Sequence, residues 1–530
     1  MSLYQRAPSW KFVSFFNPVH WFVLFLFLSL SQASLASSKP NIIIMLADDL
    51  GWADVGFHGS DIETPAIDRL AAEGMRLERF YVSPICTPTR AALMTGRDPL
   101  RMGVGYFPIL AWSNKAVSPD EHFMPESFRA AGYQTGMVGK WHLGHTLEIQ
   151  TPNARGFDDF FGHLHTQVFY FTHDTSGGHD LQHNGVSVNR DGRYLTDVHG
   201  EEAVRFIRER DKDKPFFLYV PFLAPHSPME APESLLEKYR NRAVQLLPDS
   251  HPAKDLYVGE RLRQLQLIFA AMVDSMDMAI ASILASLDEE GIADNTIVMF
   301  FSDNGGFYGM GGVNTPLRGE KMTVFEGGIR VPAVIRWPDQ IEAGVESHQL
   351  MSVMDVFPTL AMASGIELNN EKPLDGRNAW PIEAGAEFTA RGDDVFFVAE
   401  QSTAYPYFYG MIRDRWKLVE VIREDLFSKK VERLLFDIVE DPNEVNNLAA
   451  SMPEKVAEMH EAVASWAALH PVGGQHVEIA PNPGWRPPLD WAEAVIPASE
   501  LQEESRDGFR PGTLEVLEGA YRGRAKVIYE

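Results

Sequence analysis

The run Asn41-Ile42-Ile43-Ile44-Met45-Leu46, continuing into Ala47-Asp48-Asp49-Leu50-Gly51, decides how this chain is read. Past Asn41 its residues are apolar at successive positions, which fits a strand covered on both faces, and the run stops at two carboxylates. Three other stretches have the same form: Gln134-Thr135-Gly136-Met137-Val138, Phe216-Phe217-Leu218-Tyr219-Val220 and Thr296-Ile297-Val298-Met299-Phe300-Phe301. Helical patterns alternate with them. One starts at Thr64 as N-cap with Pro65 at its first position, buries Ile67, Leu70 and Ala71, and stops at Gly74. Another runs from about Glu260 to Leu287 with Leu262, Leu265, Ile268, Phe269, Met272, Met276, Ile280 and Ile283 at helical spacing, a stripe for core packing rather than for a cofactor. The predicted fold is α/β, a large mostly parallel mixed sheet sandwiched by helices over residues 37–365.

Beyond residue 366 the pattern changes. Val395–Val398, Tyr409–Ile412 and Trp416–Val421 predict a small antiparallel sheet, and Pro453 to Leu469 a helix packed on it, giving an α+β subdomain over 366–470. From Pro471 to residue 530, stretches such as Pro481-Asn482-Pro483-Gly484-Trp485-Arg486-Pro487-Pro488 predict an extended tail laid over the surface.

At the other end, Arg6 and Lys11 precede the apolar run Trp21–Leu28, with small residues at Ala33, Ser34 and Ala36, the form of an export signal over residues 1–36. The run is shorter than the roughly 20 residues of a membrane span, so the expected location is periplasmic or secreted. Removing residues 1–36 takes away Arg6 and Lys11 and no carboxylate, which moves the formal net charge from -26 to -28. Such a chain repels phosphate backbones, which argues against nucleic acid as a partner. A single cysteine, Cys86, excludes any intramolecular disulfide. Nothing in the sequence fixes an oligomeric state.

In open α/β sheets ligands bind beyond the carboxyl ends of the strands. Here those ends deliver Asp48 and Asp49, Asp303 and Asn304, Lys140 and His142, and His226. Three carboxylates and an amide, with no cysteine pair and no zinc-type histidine spacing, form a hard oxygen set suited to calcium or magnesium. Any one of them alone would pass for a cap or turn residue. The stretch Ser83-Pro84-Ile85-Cys86-Thr87-Pro88-Thr89-Arg90-Ala91-Ala92-Leu93-Met94-Thr95-Gly96-Arg97 then places Cys86 at a helix start, where the dipole favours an anion, with Arg90 one turn on.

Cys-x-Pro-x-Arg followed by Ala-Ala-Leu-Met-Thr-Gly-Arg resembles the signature of type I sulfatases of the alkaline phosphatase superfamily, in which the cysteine becomes formylglycine; Thr89 stands where serine is commoner. The resemblance continues through Ala47–Gly51, Gly139–Gly144, Pro225-His226, Ser302–Gly306, Leu317–Lys321, Glu326–Pro332, Leu435–Asp437 and Asp441–Glu444, in the family's order over roughly residues 38–465. It implies one calcium ion held by Asp48, Asp49, Asp303, Asn304 and the modified Cys86, and covalent catalysis by the hydrated aldehyde (3-oxoalanine). It implies that Arg90 steadies that group, that Lys140 and Lys321 hold the sulfate oxygens, that His142 takes a proton from the second hydroxyl and that His226 protonates the leaving oxygen. Thr166, in Gly162-His163-Leu164-His165-Thr166-Gln167, is the match for a polar residue that touches the substrate in relatives. His163, His165, His173, His179 and His183 are expected in a solvated loop, with a pocket wall as the other reading.

The implied function is hydrolysis of a sulfate ester on a sulfated carbohydrate or a small aryl sulfate, after a formylglycine-generating enzyme has acted on Cys86. Two other classes compete: a phosphonate or phosphate ester hydrolase of the same superfamily, and a secreted carbohydrate-binding protein without catalysis. Cys86 and every acidic ligand are present, which disfavours the last.

Overall fold

The computed structural model describes residues 39–240, 260–368, 370–385, 390–399, 407–424, 428–470, 481 and 484–500. The expected export signal lies outside them, as does most of the expected tail.

A ten-stranded mixed sheet forms the centre. Strand Asn41–Ala47 lies between Thr296–Ser302 and Phe216–Pro221, followed outward by Gln134–Lys140 and Asp159–His163, and these five strands are all parallel. The flanks carry antiparallel pairings: Ala333–Arg336 then Met75–Leu77 on one side, with Val345–Ser347 joining the latter in parallel as the edge strand, and Gln182–His183 then Val186–Ser187 on the other. The four strands foreseen are the four central ones. The short ones escaped notice because runs of two to five residues carry no usable period.

Alternation through the pleat sends successive side chains to opposite faces. Ile43, Met45, Leu218, Val220, Val298 and Phe300 pack under the helices Pro65–Glu73, Leu195–Glu209 and Glu260–Glu289. Ile42, Ile44, Leu46, Phe217, Ile297, Met299 and Phe301 face the other layer, with Ala91, Leu93 and Met94 of helix Cys86–Thr95 and Phe357 and Leu360 of Val356–Ala363. All these side chains are buried, each worth roughly 1.5–3 kcal/mol for a large one. The Met-bearing helix lies in the first core, as its stripe predicts.

Helix Pro65–Glu73 begins and ends where the sequence places it, but Thr64 is not its side-chain cap. The free backbone donors of Ala66 and Ile67 reach Asp277 of the long helix at 3.0 and 2.8 Å, while the Thr64 hydroxyl accepts from Gly56 N and donates to Asp68. A tertiary carboxylate takes over a local role because an anion satisfies two orphan donors where a hydroxyl satisfies one.

The C-terminal sheet has four antiparallel strands, Val395–Ala399, Tyr407–Arg413, Trp416–Glu424 and Lys429–Asp437, covered by helix Pro453–Ala467. The fourth strand was not foreseen, because Lys-Lys-Val-Glu-Arg at its start is exposed edge without an apolar face. Between this sheet and the main body lies a buried charge cluster. Lys417 Nζ is 2.8 Å from Glu326 Oε1 and 2.9 Å from Glu444 Oε1, with all three side chains fully buried. Tyr81 OH donates to Glu326 Oε2 at 2.9 Å, and Glu444 Oε2 accepts from Glu326 N at 2.7 Å.

Removing a cation from such a cluster strands two carboxylates in the interior. Lys417→Met should therefore destabilise the fold by about 3–5 kcal/mol. The shift in urea midpoint measures it, and adding Glu326→Gln and Glu444→Gln should recover part of the loss.

Candidate active site

The acidic residues of the site sit where two neighbouring strands end. Asp48 and Asp49 follow Asn41–Ala47, and Asp303 and Asn304 follow the neighbouring Thr296–Ser302. The two ends are tied directly: Asp303 N donates to Ala47 O at 2.9 Å, Leu50 N to Ser302 Oγ at 2.9 Å, and Asn304 Nδ2 to Asp49 Oδ1 at 2.7 Å. Gly305 allows the next approach, since a Cβ there would stand 1.8 Å from the carbonyl oxygen of Gly327. Asp49, His142 and Met322 hold positive φ of 68°, 60° and 67°, uncommon for residues with a Cβ and frequent where surroundings over-determine a site.

Cys86 is the first residue of helix Cys86–Thr95, after an extended Ile85, as predicted. It is buried, and burial together with Asp48 and Asp303 pushes its thiol up to about 12 despite Lys140 and Lys321. An unmodified Cys86 is therefore a protonated thiol, unsuited to attack as it stands.

Arg90, fully buried, binds Asp303 Oδ2 through Nε at 3.0 Å and Nη2 at 2.9 Å, Asp48 Oδ2 through Nη2 at 2.9 Å and the Lys140 carbonyl through Nη1 at 2.9 Å. These hydrogen bonds thus go to two carboxylates of the acidic set and to one backbone carbonyl. Lys140 Nζ reaches Asp48 Oδ2 at 2.5 Å, and Lys321 Nζ lies 2.6 Å from Asp49 Oδ1 and 3.7 Å from Cys86 Sγ. Burial would raise the Asp48 carboxyl, but Lys140, His226, Arg90 and Lys321 together hold it well below the usual carboxylate range. Asp303 goes the other way, to about 7, through burial and the neighbouring Asp48 charge. Ligand atoms of Asp48, Asp49, Cys86 and His226 all lie within 4.8 Å of one another. Two buried oxygens of the set, Asp48 Oδ1 and Asn304 Oδ1, have no hydrogen-bond partner, and hard oxygens of that kind suit a hard divalent cation.

The two histidines have defined orientations. His142 Nε2 lies 2.9 Å from the Ile109 carbonyl, which fixes the proton there and leaves Nδ1, buried and without a partner, as the basic nitrogen. Burial, reinforced by Lys140 and Arg90, lowers the pKa of His142 well below its ordinary value. Thr166 Oγ1 donates to the same carbonyl at 3.2 Å and stands 3.1 Å from His142 Nε2, so this residue is brought to the far side of the His142 ring. His226 Nδ1 donates to Ser227 O at 2.7 Å, and its Nε2 lies 3.7 Å from Asp49 Oδ2. Burial and Lys321 lower its pKa to about 4.

The histidine-bearing segment is not the solvated loop expected from its polarity. His163, His165 and His173 are buried, His163 ends a sheet strand, and His165 Nδ1 pairs with Asp180 at 2.7 Å. Apolar neighbours and one buried aspartate take up polar rings that the sequence alone assigns to water. The Ile109 carbonyl, which orients His142, had no signal at all, since a backbone oxygen carries no residue identity. Glu326 and Glu444 stood in the quoted motifs, but only the fold joins them at Lys417.

The profile of the family described as "Sulfatase" matches residues 40–366, and that described as "N-sulphoglucosamine sulphohydrolase, C-terminal" matches 319–467. Arylsulfatase J of Mus musculus is 36% identical over 351 residues, covering 65% of this chain and 56% of the relative. N-acetylgalactosamine-6-sulfatase of Canis lupus familiaris is 35% identical over 406 residues, covering 69% of this chain and 71% of the relative. The crystal structure of Ps i-CgsB in complex with k-i-k-neocarrahexaose superposes with a TM-score of 0.72 at 30% identity, over 83% of this chain and 96% of that one. With a profile match across more than half its length, a strand-end acidic cluster and a buried cysteine at a helix start, the chain belongs to the sulfatase family.

Proposed function

We propose that this protein is an exported hydrolase of sulfate esters, acting in the periplasm or outside the cell on a sulfated saccharide or aryl sulfate, with Cys86 converted to formylglycine and one calcium ion bound beside it. The observation that carries the reading is the packing of Cys86 against Asp48, Asp49 and His226 within 4.8 Å, with Lys321 Nζ 3.7 Å from Sγ.

Charge balance supports a cation. Three carboxylates, Asp48, Asp49 and Asp303, face three fixed cations, Arg90, Lys140 and Lys321, leaving a pocket with little net attraction for an anionic ester in a chain of net charge -26. A divalent ion held by Asp48, Asp49, Asp303 and Asn304 tips that balance toward anion binding. When present, calcium supplies Lewis-acid withdrawal of charge from a sulfate oxygen, and formylglycine supplies an oxygen nucleophile in place of the thiol.

The remaining work falls to this chain's own side chains. Arg90 fixes the two metal carboxylates relative to the helix that carries position 86. Lys140 and Lys321 trade part of their carboxylate contact for sulfate oxygens as negative charge builds there. His142, neutral with its lone pair on Nδ1, accepts a proton close to position 86, while Thr166 and the Ile109 carbonyl hold its ring. His226, held through Nδ1, offers Nε2 to the departing oxygen; a bound sulfate ester opposes the field of Lys321 and favours the protonated form that this step requires. A formylglycine-generating enzyme is the required maturation partner.

Three outcomes follow. Protein co-produced with such an enzyme should show, by peptide mass spectrometry across Ser83–Arg90, the mass loss of thiol to aldehyde, with turnover of 4-nitrophenyl sulfate in the same batch exceeding that of 4-nitrophenyl phosphate. A thiol left intact, or a preference for phosphate, overturns the reading. Cys86→Ala should lower kcat/KM by at least about 1000-fold while leaving the thermal midpoint close to that of the parent. Calcium at a hundredfold excess over its Kd should stabilise the protein by about 2.7 kcal/mol, an effect that Asp48→Asn together with Asn304→Ala should abolish in calorimetry.

A further inference from the structure

Part of the C-terminal tail is bound in place beside the active site. Residues Leu489 and Ile496 make backbone bonds to two loops of the main body: His179 N to Leu489 O, Glu148 N to Ile496 O and Ile496 N to Thr146 O, all at 2.9 Å. Trp491 is buried, donates through Nε1 to Thr175 O at 3.2 Å, and packs its ring on His165 at 3.9 Å and His145 at 5.8 Å. From that anchor the aromatic contacts continue outward. Trp485 stacks near Trp491 at 6.5 Å and 30°, and meets Trp112 edge-on at 6.1 Å and 74°. Trp485 and Trp112 are both only half-buried.

The position of this cluster ties it to the chemistry from two sides. Trp112 lies three residues beyond Ile109, the residue whose carbonyl orients His142, so the two Cα atoms are at most about 11 Å apart. His165, under Trp491, immediately precedes Thr166, which touches the same His142 ring. Arg486, exposed, adds a guanidinium next to Trp485 in a chain that is otherwise strongly acidic.

We propose that Trp112 and Trp485 form a platform for a sugar ring next to the sulfated one, with Arg486 facing a further sulfate group, so that the tail makes this protein selective for sulfated oligosaccharides over small aryl sulfates. The inference rests on the sulfate-ester reading above and names its substrate class. A sugar ring has an apolar face of C–H groups and a rim of hydroxyls, which matches an indole that offers a flat apolar face and keeps its edge wet. Arg486, whose Nη1 donates to the Trp485 carbonyl at 2.8 Å, is held beside that ring as a local cation for a sulfate group. Ps i-CgsB, solved with a bound hexasaccharide, shares this fold over 83% of the chain.

The test compares kcat/KM for k-i-k-neocarrahexaose and for 4-nitrophenyl sulfate in the matured enzyme and its variants. The ratio of the two should fall about tenfold in Trp485→Ala and in Trp112→Ala, through KM rather than kcat, and recover in Trp485→Phe. Arg486→Ala should lower the same ratio and weaken its dependence on salt. Equal losses on both substrates, an unchanged ratio, or failure of Cys86→Ala protein to bind the hexasaccharide in calorimetry overturns the platform while 4-nitrophenyl sulfate turnover leaves the sulfatase reading standing. Absence of turnover on every sulfate ester, with Cys86 converted, overturns that reading and the platform with it.

Discussion

The Arg90 guanidinium is the interaction on which the site depends. A buried ion costs several kcal/mol to desolvate, and arginine does not escape that cost by losing its proton. It is stable here only because its fork meets Asp48, Asp303 and the Lys140 carbonyl together. That requirement runs both ways. The two carboxylates come from neighbouring parallel strands and the carbonyl from a third, so one planar group from helix Cys86–Thr95 fixes three strand ends and the helix start at Cys86 in a single geometry.

A second brace acts on the loop that carries Lys321. Glu326 follows it by five residues and is held by Lys417 of the C-terminal sheet and by Glu444 in the loop after its last strand, while the glycines Gly305 and Gly327 let the Asp303-Asn304 turn lie against the same loop. The smaller sheet is therefore more than an appendage. Its buried lysine keeps the loop of Lys321 in register, which gives a physical reason for the Leu435–Glu444 segment to be as distinctive as the strand-end motifs.

The surface and the pocket follow opposite electrostatic rules. An acidic exterior repels polyanions at a distance, whereas the interior balances three carboxylates against one arginine and two lysines closely enough that a divalent ion held there would change its sign. Selectivity for an anion would then come from a local field in a buried site, where charges count for more than they do on the acidic exterior.

The sequence by itself determined the central sheet and the roster of the site. Short apolar runs that alternate with helical patterns fit strands buried on both faces, and residues at the carboxyl ends of parallel strands share one edge of the sheet, so Asp48, Asp49, Lys140, His226, Asp303 and Asn304 were legible together. Helix Glu260–Glu289 was legible because thirty residues of one period average out local exceptions. Tertiary structure alone decided the rest. Asp277 replaced Thr64 as the cap, Lys417 found Glu326 and Glu444, the Ile109 carbonyl set the tautomer of His142, and buried neighbours took in histidines that the sequence gives to solvent. Each of these joins groups far apart in the chain, or uses a backbone atom that every residue has, so no local pattern encodes it. The placement of Trp491 beneath His165 is of the same kind: composition foretells a tail on the surface, but only packing chooses which part of the surface it covers.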